Sequence, residues 1–322
     1  MHEGVVRNLC AYSMVAWHGI WCMLVFFLRA VLEIICSVLV YADASEVPKV
    51  TCVATPRNAA IVDACGALRR FTPAWWAVGP YAQTLVQTLR RADAGCYRRD
   101  VVAMHDGVQV ALDWKEHASL PDSAPIVVCL HALGGDSGSK NVWVLTRAAL
   151  RRGYRSVVYN RRGHGGMSLL SAEAACIVPK HSNMSDMLAV MSRVTAAYPT
   201  ARGVYVIGFS AGANLCINYL ATEHGRSTVT AAAAVSNGYD IFNGTQFLKN
   251  HDPICDGVVA QMFKDTLRER ADEVQLLADR AGVTVNVRDV MRCRSFTDIE
   301  ERLRLRTDTV ACVSTRMTMQ AT

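Results

Sequence analysis

Gly208-Phe209-Ser210-Ala211-Gly212 decides the fold. It follows an apolar run, Val204-Tyr205-Val206-Ile207, and precedes a helix-like run from Ala213 to Ala221. Strand, sharp turn and helix is the setting in which a serine hydroxyl is lifted above a sheet. Small flanking residues suit it, because the turn is strained and the helix must pack close to the strand. The same geometry aims the backbone N–H of the next residue, Ala211, at an oxyanion forming beside Ser210. Three fixed positions in five also occur in an ordinary glycine-rich turn. The strand before and the helix after favour the nucleophile.

Around this turn the pattern alternates. Ile126 to Leu130, Ser156 to Tyr159 and Val229 to Val235 read as further strands; Asn141 to Arg151 and Met184 to Ala197 read as helices. Strands spaced by helices of this size need crossovers, and hence a mainly parallel sheet. Earlier, Val101 to Met104 meets Val108 to Leu112 across His105-Asp106-Gly107, a hairpin turn with its glycine in place. Helical fragments are expected over Asn58 to Arg69 and Leu85 to Arg91, between the prolines at 56, 73 and 80.

Two loops follow strands and carry chemistry. His131-Ala132-Leu133-Gly134-Gly135 comes after Leu130, and its glycines let the backbone approach a substrate. The N–H of Leu133 is the candidate second oxyanion donor. The spacing is neither G-x-G-x-x-G nor a Walker A loop. Asn160-Arg161-Arg162-Gly163-His164-Gly165-Gly166 follows the next strand. His164 invites a reading as a base, but a loop side chain facing solvent is the expectation.

Composition sets the frame. The chain has 322 residues, 51% of them hydrophobic, and a net charge of +6. Met14 to Ala42 is almost wholly apolar, broken by His18, Arg29 and Glu33. Its length suffices to span a bilayer. Arg29 and Glu33 lie four apart, on one helical face where they can pair. Three readings stand: a single N-terminal membrane anchor, a signal peptide cleaved near Ala42-Asp43-Ala44, and an amphipathic or buried helix. Arginine pairs recur at 69–70, 90–91, 98–99, 151–152 and 161–162 without a long basic run. A solvated surface is the plain reading and attraction to an anionic membrane the sharper one. No nucleic-acid-binding signature is present. The twelve cysteines include no C-x-x-C pair. Cys22, Cys36, Cys129 and Cys216 read as buried small apolar groups. No metal or organic cofactor is implied, and the oligomeric state is not legible.

The chain resembles the membrane-anchored AB-hydrolase 4 family of α/β-hydrolases. The residues that carry the resemblance are Asp106-Gly107 with Leu112-Asp113-Trp114, the loop Leu133-Gly134-Gly135, the run Gly153 to Gly163, the Ser210 turn, and Ser295 to Arg302, which is similar to the family's lid segment. The resemblance implies a three-layer α/β-hydrolase fold with a mostly parallel sheet and an N-terminal transmembrane helix. It implies Ser210 as nucleophile and acyl esters, lipid-derived, as substrates, at a membrane. The organisation expected is an anchor over 1–45, a connector over 46–95, a hydrolase core with partial lid over 96–303, and an unmatched tail over 304–322.

One part of the machinery is missing from the pattern. In chain order the acid and histidine must follow the serine. Only His224 and His251 do so. His224 falls near the far end of the helix that starts at the turn, about 20 Å from the hydroxyl at roughly 1.5 Å per residue. The family pattern stops near Leu303, before the strands that carry the acid and histidine, so the core reads as C-terminally incomplete. Two explanations are open: a truncated or frame-shifted product, or a non-catalytic relative. Asp240 or Asp252 with His251 is a rescue constellation in the right order. The expectation is little or no hydrolase activity and an open sheet edge.

Overall fold

The computed structural model describes residues 2–39, 45–89, 96–168, 184–280, 287–299 and 302. The elements in order are helix α1 (His2–Leu39), α2 (Pro56–Ala64), α3 (Gly66–Arg69), α4 (Pro80–Leu89), strands β1 (Arg98–Ala103), β2 (Gln109–Lys115) and β3 (Ile126–Leu130), then α5 (Lys140–Arg151), β4 (Arg155–Asn160), α6 (Met184–Ala197), β5 (Val204–Phe209), α7 (Ala211–Leu220), α8 (Glu223–Thr228), β6 (Ala231–Val235), α9 (Ile241–His251), α10 (Pro253–Glu269), α11 (Ala271–Arg280) and α12 (Val287–Met291). They fall into two units, one drawn from residues 20–90 and the other from residues 1–19 and 91–322. The stretch 304–322 lies outside the described residues.

In the smaller unit, α1 dominates. Trp17–Leu39 is long and apolar enough to cross a membrane, a test that a soluble core helix or a signal sequence also passes. Each charge in this stretch finds a partner on the connector. Arg29 Nη1 donates to the Tyr81 hydroxyl at 2.8 Å, and Glu33 accepts the Ala82 N–H at 2.8 Å. Ser37 Oγ accepts the Val78 N–H at 3.4 Å. Helix α4 begins at Pro80, earlier than the expected Leu85, because proline is well suited to the first helical position. Cys36 is exposed on the outer side of α1, not buried as its apolar surroundings suggested. An apolar neighbourhood in sequence buries a side chain only if something packs on that side.

The larger unit is built on one sheet of order β1-β2-β4-β3-β5-β6. β1 and β2 form the hairpin, and β2 runs antiparallel to β4. β4, β3, β5 and β6 are mutually parallel where they meet. β3 and β6 flank the Ser210 strand, and β4 stands one strand further away. All residues of β3 and β4 are buried, as expected of parallel strands covered on both faces. On one face Val128, Leu130, Val157 and Val206 pack with Met187, Val190, Met191 and Val194 of α6 and Leu215, Cys216 and Tyr219 of α7. On the other, Val127, Cys129 and Val158 pack against Val142 and Ala149 of α5. Helices on both faces of the sheet make three layers. Each large buried side chain here contributes roughly 1.5–3 kcal/mol. Burial pushes the Cys129 thiol up to about 12 and Cys216 up to about 11, so both stay protonated. β6 differs: all five of its residues are exposed, and among the described residues it is one of the two edge strands, opposite β1.

Candidate active site

Ser210 stands between β5 and α7 with φ 51° and ψ −113°. A non-glycine residue held there costs on the order of 1–3 kcal/mol, and only a surrounding structure that over-determines it keeps it in place. Two glycines do so. A Cβ on Gly208 would lie 2.2 Å from the Gly212 carbonyl oxygen, and one on Gly212 would lie 2.2 Å from the Leu130 carbonyl oxygen. Helix α7 therefore rides directly on β5 and on the end of β3. The Ser210 N–H donates to the Val235 carbonyl at 2.9 Å, and its own carbonyl accepts the Asn214 N–H at 3.1 Å. The residue is exposed.

That close approach brings the loop after β3 against the Ser210 turn. A Cβ on Gly212 would also lie 2.7 Å from the His131 carbonyl. The loop is held from behind. Ala132 O accepts from Arg161 Nη2 at 2.9 Å, from the Gly135 N–H at 3.2 Å and from His131 Nδ1 at 2.8 Å. Arg161 Nη2 reaches His131 O as well, at 3.0 Å. The His131 ring is held at both nitrogens: Nε2 accepts the Arg161 backbone N–H at 3.4 Å, and Nδ1 also lies 3.1 Å from Arg161 Nη2. In a trans peptide the C=O and the next N–H point in opposite directions. With Ala132 O turned toward Arg161, the Leu133 N–H faces the other way. Burial pulls the Arg161 guanidinium down to about 10, and it remains cationic at neutral pH.

His164 is half-buried with its ring 4.9 Å from that of His131, not directed to solvent as expected. The glycines on either side let its loop fold back onto the sheet end.

A second network ties the loops to the hairpin. Asp113 accepts from Arg99 Nε at 2.6 Å, Arg99 Nη2 at 2.7 Å, Ser137 Oγ at 2.5 Å and Asn160 Nδ2 at 2.7 Å. Burial alone would raise its pKa, but these donors together hold it below the usual carboxylate value. Asn160 Oδ1 accepts the Ser137 N–H at 2.8 Å, and Arg99 Nη1 donates to Gly165 O at 2.8 Å. Arg162 bridges Asp186 of α6 and Asp106 of the hairpin turn. Sequence reasoning assigned none of these residues a role. The available signal was Asp113 interrupting the apolar residues in the middle of β2.

Residues 125–254 match the family model described as the alpha/beta hydrolase fold. Over these residues the chain carries the α/β-hydrolase fold. Phospholipase ABHD3 of Bos taurus is 31% identical over 158 residues, covering 48% of this chain and 37% of that protein. The Mus musculus protein of the same name is 30% identical over 185 residues, covering 56% and 44%. The monoacylglycerol lipase of Saccharomyces cerevisiae is 27% identical over 130 residues, covering 40% and 28%. The chain thus spans less than half the length of each of these relatives.

Beyond the matched residues, α10 to α12 and the segment that follows them make a separate apolar cluster of Ala260, Leu267, Val274, Val290, Phe296 and Ile299. The Leu133 side chain packs against it. Asp256 is buried within these helices and accepts the Phe296 N–H at 3.1 Å. Burial raises its pKa, and that hydrogen bond offsets only part of the rise.

The remaining sequence candidates are engaged elsewhere. His224 Nδ1 lies 2.7 Å from the Tyr219 hydroxyl, at the far end of α7. His251 stacks on Phe247 at 4.0 Å and donates from Nδ1 to the Phe247 carbonyl at 3.0 Å. Asp240 and Asp252 cap α9 and α10 by accepting the Asn243 and Cys255 N–H groups. The structure therefore brings together Ser210, Ala211 and the Leu133 loop, while His224 is bonded to the end of α7 and His251 within α9. Among the described residues, no group of three or more His, Cys, Asp or Glu side chains converges as a metal site.

Proposed function

We propose that this chain is built for acyl transfer from carboxylic or lipid-acyl esters at a membrane. Ser210 is the nucleophile, and the N–H groups of Ala211 and Leu133 receive the oxyanion. Ser210 Oγ would form a bond to the acyl carbon, the ester C–O bond would break, the alcohol would leave, and water would release the acid. The observation that carries this reading is the strained, exposed Ser210 between two glycines that admit no side chain. The phospholipase and lipase names of the relatives support a lipid ester. Residues 1–45 serve as a single N-terminal membrane anchor, 46–95 as a connector and 96–303 as the core with its partial lid. The bilayer-length apolar helix supports the anchor.

A second reading is a non-catalytic relative that binds acyl lipid without cleaving it. It is favoured by the engagement of His224 and His251 away from Ser210. Without a base the Ser210 hydroxyl is an ordinary alcohol.

A fluorophosphonate probe on the purified full chain separates the two. An adduct mapped to Ser210, speeded by added imidazole and abolished by Ser210→Ala, supports the nucleophile. Labelling absent even with imidazole overturns it and leaves the binding protein. Rapid labelling without imidazole would instead reveal a base within about 3 Å of the hydroxyl.

A further inference from the structure

The connector carries a feature that the anchor reading leaves unexplained. From Phe71 to Leu89 the sequence has no charged residue, and an arginine pair stands immediately on each side, Arg69-Arg70 and Arg90-Arg91. The polar side chains Arg29, Glu33 and Ser37 of α1, spaced four apart, all bond to the middle of this stretch, at Tyr81, Ala82 and Val78.

We infer that residues 71–89 are a second membrane-inserted element, a re-entrant loop and helix that enters the bilayer beside α1 and leaves on the same side. The inference rests on α1 being the bilayer-spanning anchor. Depth is the first argument. Arg29 lies about 15 Å from the Leu39 end at roughly 1.5 Å per residue, near the middle of a hydrocarbon core about 30 Å thick. Tyr81 and Ala82 are bonded to Arg29 and Glu33, so they sit at comparable depth. The stretch does not cross. A single helical crossing takes about 20 residues, whereas α4 has 10, and Pro73, Gly79 and Pro80 interrupt what precedes it.

Polar bookkeeping is the second argument. In hydrocarbon every backbone group needs an internal partner, and charges are costly. Pro80 has no N–H to satisfy. The Ala82 N–H goes to Glu33, at the helix end where a carboxylate is favoured. The Gln83 N–H goes to Gly79 O at 3.0 Å. Gln83 Nε2 donates to Val78 O at 2.9 Å and Thr84 Oγ1 to Pro80 O at 2.8 Å, so these side chains bond within the segment. Arg29 also lies over the Tyr81 ring, 5.3 Å from its centroid.

Phe71, Trp75 and Trp76 are exposed, Trp75 by 55%. They stand between the arginine pair at 69–70 and the α1-bonded residues 78–82, where the headgroup layer of an anionic membrane favours amphipathic rings and guanidinium groups. Exposed apolar rings beside cations match the chemistry of a lipid surface.

Tryptophan quenching tests this in the full-length protein, reconstituted in phosphatidylcholine vesicles containing phosphatidylglycerol and a lipid with brominated acyl chains. Two double variants are compared with the parent: Trp75→Phe with Trp76→Phe, and Trp17→Phe with Trp21→Phe. The expected result is that each pair accounts for roughly half of the bromolipid-quenched emission, as tryptophans at membrane depth should. If the Trp17/Trp21 pair is quenched and the Trp75/Trp76 pair is not, the anchor stands and the re-entrant element is overturned. A protein partner would then be the better occupant of those rings. If neither pair is quenched, the anchor reading fails and takes this inference with it.

Discussion

Arg161 Nη2 donates to the Ala132 carbonyl at 2.9 Å, which turns the amide of Leu133 away from the guanidinium. A residue on the loop after β4 thereby sets the direction of a donor on the loop after β3. Replacing it tests how firmly that peptide is fixed. Arg161→Met takes its side-chain donor from the His131 carbonyl and one of several from Ala132, and should cost about 1–3 kcal/mol. A thermal melt would register the loss, and hydrogen exchange at the Leu133 amide should accelerate. Arg161→Lys keeps the charge with a single donor tip and should fall between the two.

The glycine beneath the serine turn should tolerate nothing larger. Gly212→Ala puts a methyl 2.2 Å from the Leu130 carbonyl, so α7 must lift off the sheet. A penalty of about 3 kcal/mol or more is expected, in the range of severe overpacking. Gly66→Ala is the control, since a Cβ there meets nothing within 4 Å. Equal chemical-denaturation midpoints for the two variants would show that the tight approach is not real.

Asp113 predicts acid sensitivity. Its folded pKa lies below the ordinary 3.8, so the stability it contributes is complete above that value and is lost as pH falls through the folded one. Asp113→Asn should cost about 1–2 kcal/mol near neutrality, a modest figure because Arg99 is partly solvated. The difference from the parent should shrink in acid. Melts recorded from about pH 7 down to about pH 3 would follow it. A constant difference would remove the ionised carboxylate from the account.

Asp256 predicts the opposite trend. Its pKa is raised, so the folded state prefers the protonated acid and ionisation at neutral pH is destabilising. Asp256→Asn keeps an oxygen for the Phe296 N–H and removes the buried charge. It should raise the melting temperature at neutral pH, with the gain fading as the parent's carboxyl protonates. A lower melting temperature at neutral pH would mean that the charge has a stabilising partner.

The Ser210 turn and its parallel strands were legible because their signals are local: apolar runs, two glycines at fixed spacing, and a helix on the far side. Strand order was less so. Ser156 to Tyr159 and Val204 to Ile207 both read as core strands, but nothing in their spacing says that β3 stands between them. The network on Asp113 joins residues 99, 113, 137 and 160, whose partners are set by sheet closure and not by any sequence period. His164 was misjudged for the same reason. Its loop is polar, yet the ring of His131 gives it a surface to pack on.

The edge strand bears on the serine more directly than its position suggests. Four of the five residues of β6 are alanines, which bring little apolar surface to the sheet, and all five are exposed. Val235, the last of them, receives the Ser210 N–H. The geometry of the turn is thus latched to the strand least able to hold itself in place. If β6 unpairs, Ser210 loses its bond to Val235, and the packing at Gly208 and Gly212 alone is left to hold its unfavourable φ. Anything that shields β6 should therefore steady the serine turn without touching it.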